Sequence, residues 1–220
     1  EFATHFVAIP EKENGLLQLA EIAEKLEPDD NAELEDSEWL DLTLLRRLGK
    51  PIDNDRLRRF LDSHAIASKK ISEIASDGKL QHPANPAETE DYQALFMLMR
   101  VAEFLKLEHH YHVTNGNLDE AVNTISTLQK LNNKLVGSDG IIVSLLVAHA
   151  LNTQASELIF ITLKNSSLTT AHLQTLSSQR IHHAEFQRFT TLSIDYEFQF
   201  GERNILKLCS RGPKQDALID

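Results

Sequence analysis

The sequence predicts an all-α protein, either a multi-helix bundle or a short irregular α-solenoid of antiparallel helical hairpins. Apolar residues recur at intervals of three and four along most of the 220 residues, which is the spacing of one helix face. No segment alternates apolar and polar residues long enough to require a strand. The most β-prone stretch, residues 159–163, lies at the end of a predicted helix.

The first five helices are predicted at about residues 12–26, 38–48, 54–76, 90–114 and 118–136. Ser37 and Asp53 are good N-cap residues for the second and third helices. The other three have apolar faces at helical spacing, formed by Leu16, Leu19, Ile22, Ala23 and Leu26, then by Leu98, Val101, Ala102 and Leu105, and then by Leu118, Ala121, Val122, Ile125 and Leu128.

Three further helices are predicted at about residues 139–164, 168–180 and 183–200, with Ser138 and Ser167 as N-cap residues for the first two. The last helix carries aromatic residues near helical spacing, which favours core packing and leaves a partner-binding face as the alternative. These residues are Phe186, Phe189, Tyr196 and Phe200.

The whole chain, residues 1–220, is predicted to form a single helical domain. A polar segment at 77–91, which contains two prolines, is a candidate joint between N-terminal helices in 1–76 and a main helical core in 92–220. Cys209 is the single cysteine, so an internal disulfide is excluded.

The net charge of −11 argues against a nucleic-acid partner, because binding phosphates requires clustered Lys and Arg. The most apolar run, residues 141–151, is shorter than the roughly 20 residues that span a bilayer, so we expect no direct membrane insertion. Any N-terminal anchor is expected before Glu1. The sequence has no nucleophile elbow, Walker loop or dinucleotide fingerprint, so no cofactor is predicted and an enzyme is disfavoured.

The segment LEHHYH at residues 107–112 is the most specific candidate for a functional site in the sequence, because it holds three histidines and a glutamate. On a helix, Glu108 and His112 share a face, as do His109 and His112, and such spacing can supply metal ligands from one helix. The remaining ligands would come from His149 or from the pair His182 and His183. The candidate metal site is therefore Glu108, His109, His112 and His149.

Packing is the competing interpretation of these histidines. The apolar face that contains Leu98 and Leu105 continues onto His109 and His112, which favours packed or helix-capping side chains. His149 lies inside the apolar run, which favours a core histidine with hydrogen-bond partners on another helix.

Residues 105–128 resemble a tetratricopeptide-type helical hairpin. Gly116 stands at the turn, and Ala121 stands where the second helix of such a hairpin approaches the first closely. The apolar positions of the pattern are occupied by Leu118, Ile125 and Leu128. His109 occupies a position where that repeat has a small residue. No second copy follows at a fixed period, so a repeat array is not predicted.

A broader resemblance rests on the segments IPEKENG at 9–15, NGNLDEA at 115–121, VGSDG at 136–140 and LTTAHL at 168–173. These segments resemble those of uncharacterised bacterial helical proteins that carry an N-terminal membrane anchor. The resemblance implies a helical domain in the periplasm or otherwise outside the cytoplasm, and no reaction. A cytoplasmic location is the alternative.

Two functions follow from these observations. The favoured one is a non-enzymatic helical domain that binds an unidentified protein partner. The alternative is a metal-binding protein or metal-dependent hydrolase that uses the histidine cluster.

Overall fold

The computed structural model describes residues 9–26, 37–81, 92–136, 142–165 and 167–178. Within these ranges all regular elements are helices, and the β-structure consists of one bridge between Asn14 and Lys79. The all-α prediction is confirmed. After a 3-10 turn at Glu11–Glu13, the helices are α1 Gly15–Leu26, α2 Glu38–Arg47, α3 Asn54–Ser63, α4 Ala65–Asp77, α5 Gln93–Thr114, α6 Leu118–Val136, α7 Ile142–Leu163 and α8 Thr170–Ser178.

Helix α5 lies at the centre of the bundle. Helices α1, α2, α3, α6 and α7 all pack against it, and residues 101–107 are buried without interruption. A helix buried on all sides needs apolar residues around its whole circumference, which Val101, Phe104, Leu105 and Leu107 provide. The buried side chains of α1 to α8 form one continuous hydrophobic cluster around it.

Two of the residues buried in α5 are charged, and their partners come from other helices. The Glu103 carboxylate accepts a hydrogen bond from Arg46 of α2 at 2.7 Å and lies 3.5 Å from Lys106. Lys106 in turn lies 3.2 Å from Glu157 of α7. Burial alone would raise the pKa of Glu103, but the charges of Lys106, Arg46 and Arg47 hold it below its ordinary value. This charge network therefore joins α2, α5 and α7.

The α5–α6 hairpin turns at Gly116, which has a φ of +74°. The Asn117 N–H donates to the His112 carbonyl at 2.8 Å, and the Gly116 N–H donates to the Val113 carbonyl at 3.2 Å. These two bonds form the Schellman motif, which requires a left-handed residue at the turn and so favours glycine. The predicted hairpin is present, while its tetratricopeptide character stays a prediction.

The predicted helix at 54–76 is wrong, because two helices occupy that range. Helix α3 ends before His64, whose N–H bonds the Leu61 carbonyl at 3.0 Å and whose Nδ1 lies 2.8 Å from the Phe60 carbonyl. The His64 ring also packs on the Phe60 ring, with centroids 4.4 Å apart. The His64 imidazole thus forms a hydrogen bond with a carbonyl group at the end of α3. The spacing of apolar residues does not reveal this local interaction.

The N-cap predictions have mixed outcomes. Ser37 accepts a hydrogen bond from the Leu40 N–H at 3.3 Å, and Asp53 accepts one from the Arg56 N–H at 2.6 Å, as predicted. Ser167 is not a cap, because α8 begins later and the Thr169 hydroxyl accepts from the His172 N–H at 3.3 Å. Ser138, the centre of the 77–91 segment and the aromatic helix at 183–200 lie outside the described residues.

None of the helices in the described ranges combines the length and the apolarity that a bilayer crossing requires.

Replacing Glu103 by Gln should lower the free energy of unfolding by about 3 kcal/mol, because Arg46 and Lys106 would remain buried without their carboxylate. The matched control is Glu157→Gln, since Glu157 contacts the same two cations but its side chain is 48% exposed against 10% for Glu103. The control should cost less than about 1 kcal/mol. Urea unfolding measures both, and equal losses would contradict the buried role of Glu103.

Candidate functional site

His109 is fully buried between α5 and α7. Its Nε2 lies 2.7 Å from the Thr162 hydroxyl oxygen, and that hydroxyl donates to the Leu158 carbonyl at 2.9 Å. Because the hydroxyl proton is already used, the bond to His109 requires an Nε2–H donor. Burial, followed by repulsion from His110, His112 and Arg46, lowers the pKa of His109 to about 4. His109 is thus a packed, neutral histidine with its Nε2 engaged.

Glu108 lies on a different side of α5, where α4 and α6 approach. It is partly buried, and the Ser68 hydroxyl of α4 donates a hydrogen bond to its carboxyl group. Burial, with a smaller contribution from the Glu120 charge, raises the pKa of Glu108 to about 7. This carboxyl group therefore exchanges a proton near neutral pH.

His112 is half-buried in the last turn of α5. Burial lowers its pKa, against a smaller opposite effect of Glu120, so the neutral ring is favoured. Its Nδ1 is buried and has no hydrogen-bond partner among the described residues. A neutral ring does not supply the positive charge that would interact with the carboxyl end of the helix dipole.

The interpretation of His149 as a core histidine is wrong, because the residue is exposed. The buried side of α7 at this level carries Val147, Ala148 and Leu151. At about 100° per residue, His149 points away from that side. An apolar run identifies a helix that packs, but it does not tell which of its residues face the core.

Glu108, His109, His112 and His149 are therefore not brought together. Across the described ranges, no group of three or more His, Cys, Asp or Glu side chains is arranged to hold a metal ion. His182 and His183, the other candidate ligands, lie outside those ranges. The described residues give no support to the metal-binding alternative.

A second candidate site is a groove between α2 and α5 with a volume of about 390 Å³. This volume is within the range of ligand-binding clefts, about 300–1,000 Å³. Most of the lining surface is apolar, with polar residues contributed by both helices. The lining residues are Trp39, Leu40, Thr43, Leu44, Arg47, Met99, Arg100 and Glu103.

Beside the groove is a leucine stripe, defined as Leu40 and Leu44 of α2 and Leu48, the C-cap residue that follows this helix. The members are spaced by four residues, so they follow one line along the helix. Leu44 and Leu48 are 55% and 57% exposed. Leu42 is buried on the opposite side of α2, and Trp39 is buried at the floor of the groove, so this helix is apolar on more than one face.

Two of the polar residues that line the groove are arginines, Arg47 and Arg100. Arg47 reaches the Glu103 carboxylate at 3.2 Å, yet its side chain is 60% exposed. Within the charge network, Arg46, Arg47 and Lys106 share the two carboxylates of Glu103 and Glu157. The cluster itself thus holds three cations against two carboxylates, while Glu38 and Asp41, also on α2, pair with Arg56 of α3.

The groove was not predicted from the sequence. Part of the pattern is visible in the sequence, because Leu40, Leu44 and Leu48 repeat at a helical interval. The spacing of leucines, however, is the same for a stripe that is buried and for one that is exposed. Only the position of α2 on α5 distinguishes the two.

No protein-family model, curated protein or solved structure matches this chain. The resemblance to membrane-anchored bacterial helical proteins, and to the tetratricopeptide hairpin, therefore stays a prediction.

Thr162→Val should lower the free energy of unfolding by about 1–3 kcal/mol, because the buried Nε2–H of His109 loses its acceptor while the shape is kept. Thr153→Val is the matched control: Thr153 lies on the same helix and also donates to the carbonyl four residues back, but it is exposed. This substitution should lower the free energy of unfolding by less than about 0.5 kcal/mol. Urea unfolding measures both, and similar losses would contradict the His109–Thr162 bond.

Glu108→Gln should stabilise the protein at pH 8 and have little effect at low pH. Because the pKa is raised from 4.5 to about 7, the folded state holds more protons than the unfolded state between these values. Stability therefore falls as pH rises through this window, and the neutral amide removes that loss, about 3 kcal/mol at most. Unfolding at several pH values tests this.

The control for this pH series is Glu24→Gln, at an exposed position on α1. It should leave the pH dependence of unfolding unchanged. A stabilisation by Glu108→Gln that is the same at acidic and alkaline pH would show that Glu108 does not titrate in this window.

Proposed function

We propose that this chain is a non-enzymatic helical domain that binds another protein, and that the groove between α2 and α5 receives an amphipathic helix of that partner. The observation that carries the proposal is the exposed leucine stripe beside the groove. Exposed apolar side chains on both sides of a cleft are favourable to cover, at about 25 cal/mol per Å² removed from water.

The shape of this surface favours a helix over a small molecule. The stripe extends from Leu40 to Leu48, about 12 Å along α2, and Leu48 lies beyond the residues that line the groove. On the other flank, Phe96 is exposed one helical turn before Met99 and Arg100. A helix with apolar residues at intervals of three and four matches such a long, narrow surface.

The chemistry of the lining also favours binding over catalysis. Glu108 and His109, the described groups with the largest perturbations of pKa, do not line the groove. Glu103 does line it, but its carboxylate is held by Arg46, Arg47 and Lys106. A carboxylate engaged by three cations is a poor general base.

We also propose that the domain acts outside the cytoplasm, as part of a membrane-anchored bacterial protein. This location rests on the four sequence segments that resemble such proteins. Fractionation of cells that make the full-length protein tests it, and recovery in the cytosol would reject it.

A displayed library of amphipathic helical peptides tests the binding function. We expect selected peptides to bind the purified protein, and Leu44→Glu to weaken that binding at least about 10-fold by placing a charge in the apolar contact. Ile66→Glu is the matched control, because Ile66 is also an exposed apolar residue but lies on α4. It should leave binding unchanged.

Circular dichroism of each variant confirms that the helices are intact. If no selected peptide depends on Leu44, or if Ile66→Glu weakens binding as much as Leu44→Glu does, the groove is not the binding site.

A further inference from the structure

Arg47 is positioned to hold a second carboxylate. A guanidinium group has five N–H donors in a planar fork, which matches a carboxylate well. In the described residues, Arg47 has one ionic contact, to Glu103 at 3.2 Å, and 60% of its side chain is exposed at the groove. Donors therefore remain available on the side of Arg47 that faces an incoming ligand.

The charges around Arg47 favour an anionic ligand. Glu103, its partner, is also shared by Arg46 and Lys106, so Arg47 has only a share of one carboxylate. Arg100 adds a further guanidinium to the lining. An acidic group brought to this point gains a charge-assisted hydrogen bond, whereas a basic group meets like charge.

A second copy of this chain fits the groove less well. A symmetric dimer buries the same patch on both copies, so two grooves, each with an exposed Arg47, would close against each other. Each copy also carries a net charge of −11, which opposes association over longer distances. A membrane surface fits less well too, because the leucine stripe flanks a cleft and a flat bilayer cannot fill a cleft.

We propose that the partner helix is acidic along one flank: its apolar face covers Leu40, Leu44 and Leu48, and a Glu or Asp beside that face pairs with Arg47. This inference rests on the proposed function and adds the charge of the partner to it. Arg47 then selects among amphipathic helices, since the leucine stripe alone accepts any apolar face.

Two designed helical peptides test this selection. Each is about 18 residues long, roughly 27 Å of helix, with the same leucine face. One has Glu and the other has Lys beside that face. We expect fluorescence anisotropy at low salt to show the Glu peptide binding about 10-fold more tightly. The preference should shrink as salt is added, because exposed ion pairs are screened.

Arg47→Gln should reduce the preference for the Glu peptide to less than about 3-fold, while the leucine face still contributes to binding. Arg58→Gln is the matched control: Arg58 is 64% exposed, also pairs with a carboxylate, and lies on α3 away from the groove lining. It should keep the full preference. Circular dichroism verifies that both variants are folded.

The outcomes separate this inference from the proposed function. Equal binding of the two peptides, tighter binding of the Lys peptide, or a preference that survives Arg47→Gln overturns the acidic partner but leaves the groove as a binding site. Failure of both peptides, with no Leu44-dependent peptide in the displayed library, overturns both proposals.

Two further measurements test the other occupants. If analytical ultracentrifugation shows that the protein is a dimer and that Leu44→Glu is a monomer, the groove binds a second copy of this chain. Co-sedimentation with phosphatidylglycerol vesicles that is lost in Arg47→Gln would assign it to a lipid surface. Either result overturns the proposal of an acidic partner helix. A protein that stays monomeric and does not co-sediment with the vesicles supports the proposal.

Discussion

The arrangement of α2, α5 and α7 depends on the burial of charge beside Glu103. Helix α5 is surrounded by other helices, so Glu103 and Lys106 lose most of their contact with water. Their charges must then be balanced by protein groups, because an unpaired buried charge is costly. Arg46 reaches them from α2 and Glu157 from α7. Because Arg46 must reach the Glu103 carboxylate, the position of α2 on α5 is restricted.

The same constraint produces the groove. Helix α2 packs through Trp39, Leu42 and Arg46, and this orientation leaves Leu40, Leu44 and the following Leu48 exposed as the leucine stripe. Glu103 belongs to both features, since it anchors Arg46 and also lines the groove. A ligand that engages Arg47 would therefore contact the network that holds α2 in place, which links binding to the stability of the N-terminal part of the bundle.

The histidine-rich segment has a different physical role from the one its composition suggests. Around α5 its side chains point to different neighbours: His109 bonds Thr162 of α7, and Glu108 accepts a bond from Ser68 of α4. Burial disfavours their charged forms, so His109 is neutral and Glu108 binds a proton near pH 7. The segment thus joins three helices through neutral groups, with one carboxyl group that responds to pH.

The sequence by itself determined the helical class through apolar periodicity, the α5–α6 turn through Gly116, and the caps at Ser37 and Asp53 through residue type, because these features depend on contacts within a few residues. Tertiary structure alone decided that His149 is exposed, that the helix predicted over 54–76 breaks at His64, and that the stripe at Leu44 faces a groove. The physical reason is that residue spacing defines the faces of a helix, whereas only its neighbours define which face is covered.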